Sequence, residues 1–99
     1  MSIELNGSTQ YAYISDALGV TSYPVTFAAW VRPDVVNVSQ DIICRGDVGG
    51  SYYLVLRLVN DVAEIRCGYS GSKAAVSTDT LSADTWYHVC GAAVDATNR

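Results

Sequence analysis

Apolar and polar residues alternate with period two along most of this chain, and no stretch takes up a helical period of 3.6. Side chains two apart on a strand share a face, so such alternation marks half-buried strands. One stretch departs from it. In TFAAWVRP, Thr26 to Pro33, Phe27, Ala29 and Val31 fall on one side while Ala28 and Trp30 fall on the other. Apolar residues on both sides predict a strand in the middle of a sheet with cover front and back. Pro33 has no backbone N–H for a ladder, so pairing is expected to stop there.

Around this stretch the pattern predicts a run of short strands. Ile3 to Asn6 and Gln10 to Ile14 alternate on either side of Asn6-Gly7-Ser8, a group suited to a turn. Ser15 to Tyr23 reads as a loop, and Asp41 to Arg45 as a brief strand closed by a glycine-rich loop. The sharpest expectation is a hairpin of Tyr52 to Val59 against Val62 to Cys67. Asn60 and Asp61 tolerate the positive φ of a two-residue turn. Counting outward from that turn sets Leu58 opposite Ala63, Arg57 opposite Glu64, Leu56 opposite Ile65 and Val55 opposite Arg66. One face is then leucine, alanine, isoleucine and cysteine, and the other pairs opposite charges. The second face is expected to meet water or a ligand. Lys73 to Asp79 reads as an edge strand, and Trp86 to Asp95 as a second strand apolar on both faces. Seven or eight short strands without a helix argue an all-β antiparallel sandwich.

Composition narrows the class. The chain has 99 residues, 49% of them hydrophobic and 16% charged, which suits one folded domain with a modest core. The net charge is −4 with no basic run, so nucleic acid is not an expected partner. MSIELNGSTQ lacks the basic start and apolar core of a signal peptide, and no run approaches a membrane span. Three cysteines, Cys44, Cys67 and Cys90, cannot all pair within one chain and are expected to be free and buried.

The order ELNGSTQYAYI, TFAAWVRP, QDIICRGD, YYLVLRL, STDTLSADTWYHVCGAAVD resembles the laminin-G-like, concanavalin A-like lectin and glucanase superfamily, in the form common in bacterial and phage proteins. The resemblance spans nearly the whole chain and implies a jelly-roll sandwich. Members usually continue after the strand equivalent to Trp86 to Asp95. The resemblance therefore implies a truncated, half-size version, with residues 1–99 as a single domain lacking the usual C-terminal half. Half a jelly roll exposes sheet edges and an apolar face. The expectation is a homo-oligomer, a dimer, in which a second copy covers what the missing half would have covered.

The resemblance also frames the candidate chemistry. The glucanase branch carries closely spaced paired acids on one strand, because one carboxyl must protonate the leaving oxygen while the other attacks or activates water. This chain has two glutamates, Glu4 and Glu64, in different predicted strands, and Asp79 and Asp84 lie across a turn. It is not expected to be an enzyme. His88 and Cys90 with Cys44 and Cys67 invite a zinc reading, but no CxxC or His-x3-His spacing supports it, and His88 reads as a sandwich residue bonded to a neighbouring strand. No cofactor is expected. Calcium at the sandwich rim is a common accessory in laminin-G and pentraxin relatives, and Asp47 and Asp79 are the candidate ligands, with solvated loop aspartates the competing reading. Arg45-Gly46-Asp47 is explained by a strand end and turn. Asn6-Gly7-Ser8 and Asn37-Val38-Ser39 are glycan acceptor patterns that matter only in a eukaryotic secretory pathway.

Two functions remain. The first is a carbohydrate-binding, lectin-like module, for which Tyr53, Arg57 and Tyr69 are the best placed residues: sugars stack on aromatic rings while planar polar groups fix their hydroxyls. A polysaccharide or glycan would be the partner. The second is a structural or assembly domain of a phage or surface protein, whose apolar sheet faces meet other copies.

Overall fold

The computed structural model describes residues 2–13, 23–46, 53–68 and 73–94. Six strands run through these residues: β1 (Val25–Val31), β2 (Gln40–Gly46), β3 (Tyr53–Val59), β4 (Val62–Gly68), β5 (Lys73–Thr80) and β6 (Tyr87–Ala93). They form two antiparallel sheets, one of β1 and β6 and one in the order β2-β3-β4-β5. Among the described residues there is no helix, and so none long and apolar enough to cross a membrane. The architecture is the small antiparallel β-sandwich that the alternation predicts.

The hairpin of β3 and β4 organises the larger sheet. Asn60 sits at φ 58°, in the left-handed region that asparagine tolerates. The two-residue turn sets Leu58 against Ala63, Arg57 against Glu64, Leu56 against Ile65 and Val55 against Arg66, the register counted from sequence. β2 and β5 flank the hairpin as edges. A bulge in the β4–β5 ladder is bridged by Ser77, whose hydroxyl accepts from the Ala63 N–H at 3.1 Å and donates to the Asp79 carbonyl at 3.0 Å.

The core lies between the sheets. Leu54, Leu56 and Leu58 of β3 and Ile65 and Cys67 of β4 meet Val89 and Ala93 of β6, with Leu81 also buried and Phe27, Val25 and Val31 packed alongside. Leu56 is 1% exposed. At Gly91 β6 lies close against β4: a β-carbon there would sit 2.7 Å from Cβ of Ile65. Backbone therefore packs directly against side chain at this crossing. The chain between β5 and β6 is tied down at two points. The Leu81 N–H donates to the Asp61 carbonyl at 2.6 Å, and the Asp84 N–H to the Pro33 carbonyl at 2.7 Å. Arg32 pairs with the Asp84 carboxylate at 2.8 Å, which links the end of β1 to the turn before β6.

Several expectations are corrected. The segments 3–6 and 10–13 are not strands, and all of residues 2–13 are exposed. The Asn6 turn does form, but its Oδ1 accepts the N–H groups of Ser8, Thr9 and Gln10, so the side chain takes donors that a ladder would have used. Ile14 and the loop from Ser15 to Ser22 lie outside the described residues. β1 is not central: among the described residues its only ladder is with β6, and Thr26, Ala28 and Trp30 face outward, exposed. β6 likewise buries Val89, Gly91 and Ala93 and exposes His88, Cys90 and Ala92. Of the three cysteines, Cys67 alone is buried, because Cys44 sits on an edge strand and Cys90 on the outward face of β6.

Candidate functional site

The hairpin register decides what gathers on the outer face of the four-stranded sheet. Alternation places Tyr53, Val55 and Arg57 on the side away from the leucines, and pairing sets Gly68, Arg66 and Glu64 beside them on β4. Asp41 and Cys44 of β2 join this face on one side, and Ala74 and Val76 of β5 on the other.

Glu64 is its centre. This carboxylate is only 5% exposed and is held between two guanidinium groups. Arg57 donates from Nε to Oε1 at 2.8 Å, with its Nη2 at the same distance. Arg66, two residues along on the same face, donates from Nε to Oε1 at 2.8 Å and from Nη2 to Oε2 at 3.3 Å. The bonds from Arg66 first, and those from Arg57 after them, hold the carboxyl below the usual range, against the opposing effect of burial. Arg66 is in turn held charged, chiefly by Glu64 and to a smaller extent by Tyr53. The Tyr53 ring lies directly over Gly68, where any side chain would collide with it. The result is an aromatic ring beside two partly exposed, orientationally fixed guanidinium groups. A carboxylate locked in its ionised form is a poor proton donor, so Glu64 suits anchoring better than general acid work.

Of the residues expected to bind sugar, Tyr53 and Arg57 share this face, and Tyr69 lies outside the described residues. Of the expected calcium ligands, Asp79 is exposed on β5, and Asp47 lies outside the described residues. Among the described residues no three of His, Cys, Asp and Glu are grouped to hold a metal. Alternation sets Arg66 on the same face as Glu64 and Arg57, but sequence reasoning did not single it out as the second arm of the cluster. The signal was available in the spacing Glu64-x-Arg66, which on a strand puts both residues on one face.

The outward face of the smaller sheet has a different character. Trp30 is 68% exposed, and its ring packs on His88, directly opposite in the ladder, with centroids 5.3 Å apart and planes tilted by 55°. Ala28 stands opposite Cys90, and Thr26 opposite Ala92. His88 is thus a residue of an open face, and its packing partner is an indole; the expected place inside the sandwich is corrected by the alternation of β6, which buries Val89 instead.

Two antiparallel sheets stacked through an aliphatic core are what the fold of the resembled superfamily requires. A laminin-G family model, described as the concanavalin A-like lectin/glucanases superfamily, matches residues 6–98. No curated protein and no solved structure matches the chain. With a family model covering nearly every residue and a β-sandwich built from them, the chain belongs to the concanavalin A-like lectin/glucanase superfamily.

Proposed function

We propose that this chain is a non-catalytic carbohydrate-binding module and that its ligand lies on the outer face of the four-stranded sheet. The observation that carries this reading is the Tyr53 ring lying over Gly68 beside the arginine pair anchored on Glu64. A flat apolar ring accepts the C–H face of a sugar, and guanidinium groups already held in place bond its hydroxyls with little further loss of side-chain freedom. Membership of a superfamily of lectins and glucanases supports the same ligand class. Tyr69, one residue beyond Gly68 in the chain, is proposed as a second ring of the site. The site is proposed to work without a metal, so EDTA leaves binding unchanged. A glycan array followed by calorimetry on the best polysaccharide tests the reading: Tyr53→Ala and Arg57→Ala each weaken binding tenfold or more while the circular dichroism spectrum is kept. Binding to no glycan, or full affinity in Tyr53→Ala, overturns it.

A second reading, assembly with further copies of the chain, is favoured by the open face of β1 and β6. Trp30, Ala28 and Ala92 there form an apolar surface broken only by His88, Cys90 and Thr26. Homo-oligomers, dimers above all, are the proposed products, and sedimentation velocity across a concentration series measures them.

A further inference from the structure

We propose that His88 and Cys90 are half of a tetrahedral site for a zinc-class cation, completed by His88 and Cys90 of a second copy, so that the metal joins two chains through the outward faces of β1 and β6. The inference rests on the assembly reading and adds to it a chemical cause.

The two side chains are two apart on β6 and share its exposed face. Their β-carbons are therefore about 6.6 Å apart, a span that an imidazole and a thiolate leaning together close around one cation with bonds of about 2.0 to 2.3 Å. Both are accessible: Cys90 is free and exposed, and its neighbour across the ladder, Ala28, is too small to cover it. His88 is held on one side by the Trp30 ring, which limits the directions in which the imidazole points. Among the described residues, one chain does not complete the set. Cys67 is buried in the core and Cys44 lies on the other sheet, so neither joins the pair. The grouping of three or more metal-binding side chains that a whole site needs is absent among the described residues. Two copies related by a two-fold axis supply two imidazoles and two thiolates, the four-ligand set that zinc takes in closed structural sites. Two thiolates also neutralise the dication, which suits a site buried between apolar faces. No oxidation is involved. Each Cys90 gives its S–H proton to solvent as its Zn–S bond forms, and each His88 contributes a lone pair.

The test uses the full chain with its thiols kept reduced by a phosphine. Light scattering after gel filtration reads the mass with one Zn2+ per two chains and then with EDTA, and Co2+ replaces zinc for absorption spectroscopy. The expected result is a mass that doubles with zinc and halves again with EDTA. Cobalt is expected to give thiolate charge-transfer bands and the intense visible bands of a tetrahedral ion. His88→Ala and Cys90→Ser, both exposed positions, lose the zinc-dependent dimer and the cobalt bands, whereas Cys44→Ser keeps both. Zinc that leaves the mass unchanged, or a zinc-dependent dimer that survives Cys90→Ser, overturns the proposal. A dimer indifferent to zinc and EDTA overturns it while leaving the assembly reading standing; a monomer under every condition sinks both.

Discussion

Glu64 shows how much one buried carboxylate depends on its two neighbours. Its pKa is held down in the folded chain by Arg66 and Arg57, below the unfolded value of about 4.3. The stabilisation is therefore complete above that value and is lost as the pH falls through the lower, folded pKa. Glu64→Gln removes this dependence, so the stabilities of the two proteins, separated by about 1 to 3 kcal/mol at pH 7 in urea melts, converge as the solution is acidified towards pH 3. Cys44 provides a second check. Burial, and after it the charge of Asp41, pushes its thiol pKa up, so less of it is thiolate at neutral pH than its exposed position alone would give. Labelling with a disulfide reagent is expected to be slow at Cys44, to quicken in Asp41→Asn, and to reach the buried Cys67 only on unfolding. The Arg57–Glu64 pairing was legible in the sequence because a two-residue turn leaves one register. The burial of Glu64 was not, since alternation assigns a residue to a face without saying how deeply that face is covered.

Strands and turns carry the next level of specification. The turn of the β3–β4 hairpin needs a left-handed residue at Asn60, which a β-branched side chain adopts only with strain. Asn60→Val is expected to cost about 1 to 2 kcal/mol, and Asn60→Gly to be nearly neutral, both measured by chemical denaturation. Gly91 is the converse case, a position set by what lies across the sandwich. Adding a methyl group there forces β6 away from Ile65, and Gly91→Ala is expected to lose about 1 to 3 kcal/mol. For a domain of this size that lowers the melting temperature by about 4 to 8 °C per kcal/mol, which calorimetry resolves. The turn residues announce themselves in sequence because the constraint is local. Gly91 does not, because its constraint comes from a strand 26 positions away in the chain, the separation of Ile65 and Gly91. The segment from Ile3 to Tyr13 failed in the opposite sense: its alternation is strand-like, but alternation describes readiness to pair, and among the described residues no ladder includes it.

At the scale of the molecule, the four-stranded sheet covers one face of β1 and β6 and leaves the other open. Trp30 is 68% exposed and Trp86 51% exposed in the single chain. A dilute monomer is therefore expected to fluoresce as water-exposed indole and to be quenched by acrylamide almost as readily folded as unfolded. Blue-shifted emission and loss of quenching as concentration rises would report a second copy over Trp30, and their absence up to millimolar protein would count against assembly through this face. The sequence by itself determined the β class, the turn at Asn60 and Asp61 and the register of the central hairpin, because each follows from local backbone preference or from a two-residue period, while the family was legible only as a resemblance in the order of whole segments. Only the tertiary structure decided which of two apolar faces became core, that Cys67 is buried while Cys90 stands open beside His88, and that Arg66 joins Arg57 on Glu64. Those outcomes depend on which sheet stacks on which and at what distance. A strand's own periodicity carries no information about what lies across the sandwich.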